Sequence, residues 1–204
     1  MNTIQPNIDV DRKRQEFFGI LYSCDDEYRD KLMKVMDWLD TTDFFYAPAS
    51  TIYHLCVPGG LCAHSIAVYR EFDWLCDKYF PSIPMGSRMV MALFHDLCKV
   101  HCYNPCRRSR KTGELNQYGK PIWEDYDAYE FVEEFPFGHG EKSVYLLSQL
   151  IDLTPEEAIA IRWHMGAYDN AAKSDIRTLD RATTMYPVAT LLHVADQLAT
   201  MLGW

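Results

Sequence analysis

An apolar run from Met89 to Phe94 leads straight into His95 and Asp96, and Lys99 follows three residues later. The pattern predicts a buried helix over about Ser87–Lys99. An imidazole and a carboxylate at the end of such a helix are costly to bury without partners. A divalent cation would compensate both, and the rest of the chain would then have to bring further ligands to this point.

The surrounding pattern is helical. Phe17, Phe18, Leu21 and Tyr22 suggest a short amphipathic helix over Asp9–Tyr22, preceded by a loose tail at residues 1–8. Leu32, Val35, Met36 and Leu39 predict a second helix over Asp25–Leu39, with Asp25 and Asp26 at its favoured negative end. The aromatics of Phe44–Ser50 mark a break packed under the next element. Pro58-Gly59-Gly60 is a turn signal, and a helix runs from there to Tyr79. Leu61, His64, Val68, Phe72, Leu75 and Tyr79 recur every three or four residues, so His64 lies on the buried stripe.

The composition changes after Asn104. Glycine and proline punctuation, dense aromatics and the cluster Arg107, Arg108, Arg110, Lys111 predict a β-hairpin insertion over 104–135. A helix over about Glu141–Ile151 follows the turn Pro136–Gly140. Thr154-Pro155-Glu156-Glu157 reads as a helix start, ending near His164-Met165-Gly166. Residues 167–183 read as polar loop, and a last helix over about Thr184–Leu202 carries Asp196 on or beside its apolar face. The fold class is therefore all-α with a hairpin insertion. The 204 residues, 48% of them apolar, suffice for one domain spanning 1–204, with N-terminal helices within 1–50.

Charge and cysteine usage narrow the function. A net charge of −9 argues against a broad basic surface for duplex nucleic acid. A small phosphorylated substrate remains compatible, because a bound metal dominates its local field. No apolar run approaches the roughly 20 residues of a membrane span, and the polar stretch Met1–Asp11 is unlike a secretory signal. Seven scattered cysteines, an odd number, read as free thiols in a reducing cytoplasm.

Singly, each histidine has an ordinary explanation: His64 as a core imidazole, His139 as turn chemistry, His164 as a charge at a helix C-terminus. Asp196 in an apolar helix is harder to explain without a cation or several donors. Together, His64, His95, Asp96, His139, His164 and Asp196 all fall at ends or buried faces of expected helices. The mixture suits Mn, Fe, Co, Ni or Zn, with Mg at an oxygen-rich side. Six side chains exceed one tetrahedral zinc, and Asp96 could bridge two ions roughly 3.5–4 Å apart.

The order His64, His95-Asp96, Asp196 resembles the HD superfamily of metal-dependent phosphohydrolases. Pro58-Gly59-Gly60-Leu61-Cys62-Ala63-His64-Ser65 is similar to its PGGLLEHT segment, and Ala92–Lys99 to its ALLHDIGK segment, with Cys98 where glycine is usual. Leu192-His193-Val194-Ala195-Asp196-Gln197-Leu198 is similar to its closing LHxADxL helix. His139 and His164 match the extra histidines of its dinuclear branch, and the pattern is like the HD domain of a bacterial three-prime exoribonuclease. The resemblance covers about residues 50–202 outside the insertion. It implies an HD-domain helical fold, two divalent ions (Mn or Fe first) and hydrolysis of a phosphoester by a metal-bound hydroxide. Asp96 would then be catalytic, and Lys99 would contact a nonbridging phosphate oxygen of a nucleotide or short single-stranded nucleic acid. Two alternatives are a di-iron oxygenase with the same ligand set and a nucleotide-sensing module without turnover.

Other residues carry weaker signals. His54 is a substrate or supporting contact or a structural residue, and His193, three before Asp196, could bond it. Cys98, Cys102 and Cys106, with His101 among them, suit core packing better than a second zinc site. Arg107 and Arg108 become substrate contacts if the hairpin overhangs the cleft, with Trp123, Tyr126 or Tyr129 stacking on a base.

Overall fold

Local capping decides where most helices begin. In the computed structural model, which describes residues 7–202, α1 (Val10–Tyr22) starts at Asp9, whose carboxylate accepts from the Arg12 amide at 3.0 Å. Asp25 caps α2 (Asp26–Leu39) through the Tyr28 amide in the same way. Gly59, at φ 79°, leads into α3 (Gly60–Tyr79), and a Cβ on Gly60 would collide with the Leu55 carbonyl. These two positions explain the Pro-Gly-Gly signal. Thr154 and Glu157 form a reciprocal capping box at the start of α6 (Pro155–Trp163). Of the expected tail, residues 1–6 lie outside the described residues.

The chain is mostly helical with one small antiparallel sheet. Helix α3 is the central element, packed against α4 (Met85–Leu93), α1 and α9 (Val188–Leu202), while α6 also packs against α9. Phe17, Phe44, Phe45 and Phe94 meet edge-to-face at 5.3–6.1 Å, which seats the Phe44–Phe45 break beneath α1 and the end of α4. None of the helices among the described residues is long and apolar enough to cross a membrane.

Several helix boundaries and one expected loop differ from the sequence reading. Helix α4 stops at Leu93; Phe94 and Asp96 adopt φ −117° and −105° with ψ near zero, and a 3-10 turn follows at Leu97–Lys99. Leu97 keeps helical spacing with Val90, Leu93 and Phe94, so periodicity alone could not show this stop. Residues 167–183 are largely helical rather than loop, in α7 (Asn170–Ser174) and α8 (Ile176–Met185). Asp169 and Asp175 cap them, and α8 buries only Leu179 and Ala182, which explains its polar appearance. Pro187 disfavours helical backbone at Tyr186, so α8 ends there and the last helix starts at Val188, not Thr184.

The insertion is a hairpin of β1 (Tyr103–Leu115) and β2 (Pro121–Phe131), in register from Tyr103↔Phe131 to Lys111↔Trp123. Two strands alone are marginal. Its base is tied down by the Val132 amide on the Cys102 carbonyl and by Lys142, buried on α5 (His139–Ser148), bonding Glu133 at 2.7 Å.

Gly140 lets α5 approach α6: a Cβ there would run into the Arg162 carbonyl. Gly140→Ala should therefore cost about 1–3 kcal/mol by overpacking, read from urea unfolding. An unchanged midpoint would show that the two helices do not need this close approach.

Candidate metal centre

Five elements converge on one point. His64 comes from the first turns of α3, His95 and Asp96 from the break after α4, His139 from the first residue of α5, His164 from the end of α6, and Asp196 from α9. His64, His95, Asp96 and His164 are at most 2% exposed. The side chains of His139 and Asp196, 32% and 18% exposed, form the open rim. A cleft of about 390 Å³ opens onto the group, lined also by Lys99, His54, Tyr103 and Phe131.

The two oxygens of Asp96 face different neighbours. Oδ2 lies 2.6 Å from Lys99 Nζ, 3.4 Å from His95 Nε2 and 3.6 Å from His64 Nε2. Oδ1 lies 2.8 Å from His139 Nε2 and 3.6 Å from His164 Nε2. Asp196 Oδ1 completes the first side, 3.1 Å from His64 Nε2 and 4.0 Å from His95 Nε2. Ligand-type atoms accordingly cluster as His64, His95, Asp196; as His95, Asp96, His164; and as Asp96, Cys98, His139.

Hydrogen bonding sets the tautomers. His95 Nδ1 is 2.8 Å from the Ala92 carbonyl, and His164 Nδ1 is 2.7 Å from the Ile161 carbonyl. A carbonyl only accepts, so each Nδ1 carries the proton and donates it. In a neutral imidazole the other nitrogen is then a bare lone pair. Both Nε2 atoms are buried with no hydrogen-bond partner among the described residues, and both face carboxylate oxygens. Lone pairs opposed at these distances call for a cation between them, and a carbonyl behind the ring is the usual support of a ligating histidine. The donors present fit a divalent ion.

The charges agree with this arrangement. Burial alone would raise Asp96 and Asp196, but the Lys99 ammonium and the hydrogen bond from His139 for the first, and the hydrogen bond from His64 for the second, hold both well below the usual carboxylate range. Burial works against the Lys99 ammonium, yet Asp96 outweighs it and raises the lysine. Burial also opposes the His139 imidazolium; the Cys98 sulfur and Asp96 outweigh it and carry His139 up to about 9. His54 is lowered to about 4 by burial, His64 and Lys99, so it is neutral at pH 7.

All six expected metal residues and Lys99 thus meet at one site, with the His54 ring 5.0 Å from that of His64. The arginines do not join them. Arg107 lines a separate cavity beside Pro58 and Tyr129, and the Arg108 guanidinium donates to the Tyr129 carbonyl. The hairpin meets the cleft through its base, at the cross-strand pair Tyr103 and Phe131, rather than through Trp123, Tyr126 or Tyr129. His193 does not bond Asp196; its Nδ1 donates to the His164 carbonyl at 2.6 Å and supports that histidine's backbone. Cys102 turns its thiol to the carbonyls of Cys98 and Val100, as core packing requires. Thr200, one turn beyond Asp196, also lines the cleft, and that spacing was its only sequence signal.

Chelator-stripped protein should gain thermal stability when Mn(II) is added, by about 2.7 kcal/mol at a hundredfold excess over Kd. Asp96→Ala should lose this increment. Equal shifts in both proteins, or none in either, would contradict the site. No protein-family model, curated protein or solved structure matches the chain significantly.

Proposed function

We propose that this chain is a metal-dependent phosphohydrolase of HD type, cleaving a phosphoester of a nucleotide or short phosphodiester. Two divalent ions would be held by His64, His95, Asp96 and Asp196 on one side and by Asp96, His139 and His164 on the other. Mn or Fe suits this imidazole–carboxylate mixture first. The observation that carries the reading is Asp96, whose two oxygens face separate histidine lone pairs within one buried cluster.

When bound, such ions polarise a phosphoryl oxygen and lower the pKa of water. The protein's own groups do the rest. Asp96 stays ionised across the working pH range, which suits a ligand and excludes it as a proton donor. Lys99 is a fixed cation of the cleft, and its ammonium can hold a nonbridging phosphate oxygen. A neutral His54 can exchange hydrogen bonds with substrate without adding charge. Tyr103 and Phe131 give the cleft an aromatic wall for a base or sugar. A volume of about 390 Å³ admits a mononucleotide-sized ligand. Cys24, Cys62, Cys76, Cys98, Cys102 and Cys106 are free thiols, which suits the reducing cytoplasm.

The test is an anaerobic screen of the Mn-loaded protein against nucleotides and short oligonucleotides. Product should form without dioxygen. Lys99→Met should lower kcat/KM by about 10- to 150-fold, the worth of one charged hydrogen bond, while keeping the Mn-dependent stabilisation. Absence of product across the panel would favour a sensing module, and turnover that needs dioxygen would favour the oxygenase.

A further inference from the structure

The two sides of Asp96 are chemically unequal. The Oδ2 side holds His64, His95, Asp196 and Lys99, all nitrogen or oxygen groups. The Oδ1 side holds His139, His164 and, next to them, a sulfur. Cys98 Sγ lies 3.3 Å from Nδ1 and 3.7 Å from Nε2 of His139. That Nε2 is the atom 2.8 Å from Asp96 Oδ1. Sulfur, carboxylate and imidazole atoms all lie within 4.8 Å of one another.

We propose that Cys98 is a thiolate ligand on the Oδ1 side of the centre, giving that side a preference for Zn, Co or Fe(II) over Mg or Mn. The inference rests on the metal-centre reading above. A tetrahedral ion with bonds of about 2.3 Å to sulfur and 2.0–2.1 Å to nitrogen sets an S···N edge of about 3.6 Å. The observed 3.7 Å between Cys98 Sγ and His139 Nε2, the nitrogen that faces Asp96, lies close to that value. A second observation marks the same side as a ligand position. His164 Nε2, fully buried and without a hydrogen-bond partner among the described residues, points at Asp96 Oδ1.

The thiol is also held in place rather than swinging freely. Cys98 is 3% exposed and sits in the 3-10 turn two residues after Asp96. Its amide donates to Ser143 Oγ at 3.0 Å, which pins the turn to α5, the helix that begins with His139. On ligation the S–H proton leaves to solvent as the sulfur–metal bond forms, and no oxidant is needed. Soft sulfur strengthens binding of thiophilic ions and adds little for Mg or Mn, which favour oxygen. The competing account is a thiol that only hydrogen-bonds to His139.

Cobalt separates the two. The full chain, stripped by chelator and titrated anaerobically with Co(II), should show visible d–d bands together with a near-ultraviolet sulfur-to-cobalt charge-transfer band. Cys98→Ser and Cys98→Ala should both keep the d–d bands and lose the charge-transfer band. Their Zn(II) affinity should fall roughly tenfold or more, with Mn(II) affinity little changed. Wild-type d–d bands without charge transfer, or charge transfer that survives in both variants, would overturn the ligand role of Cys98 and leave the metal centre standing. No cobalt bands at all would remove the metal centre and this inference with it.

Discussion

A carboxylate almost sealed from solvent, at the point where a helix stops, sets the terms for the rest of this molecule. Asp96 is 2% exposed and ionised, with Lys99 and four histidines around it. An isolated buried charge costs several kcal/mol even after relaxation. The fold meets that cost with groups drawn from both halves of the chain. Helices α3 and α9 pack together and bring His64 and Asp196 to one side. Helices α5 and α6 pack together, through the close approach at Gly140, and bring His139 and His164 to the other. The stop after Leu93 is part of the same device, because it releases His95 and Asp96 from helical geometry.

Much of this was legible in the residues. Capping residues placed α2 and α6, and the three-and-four spacing along α3 put His64 on the buried stripe. Histidine and aspartate at several helix ends announced the cluster, since such groups in apolar surroundings need partners. The missed parts have local causes. The turn at Leu97–Lys99 keeps Leu97 at helical spacing from Leu93, and backbone geometry at Phe94 and Asp96 leaves no periodic trace. Helices α7 and α8 are short and solvated, so their signal lay in the caps Asp169 and Asp175. The cleft wall of Tyr103 and Phe131 depends on strand register across the hairpin, which residue type alone does not fix.

The hairpin changes meaning once its register is known. Arg108 and Arg110 are engaged across the strands, Arg110 with Glu124 at 2.6 Å, and they and Arg107 stand apart from the cleft. Among the described residues the cleft's positive charges are therefore Lys99 and, at the rim, His139, with His54 neutral beside them. Two cations in a small cleft accord with the small phosphorylated ligand proposed above rather than an extended polyanion, as does the chain's net charge of −9. Cys98 makes the two sides of the proposed centre differ, so they need not prefer the same ion.

The proposed bridge by Asp96 can be seen directly. Crystals grown with Co(II), measured at the cobalt absorption edge, should show two anomalous peaks roughly 3.5–4 Å apart. One should lie between Asp96 Oδ2 and Asp196, the other between Asp96 Oδ1 and the pair His139 and His164. A single peak, or none within bonding distance of Asp96, would contradict the account.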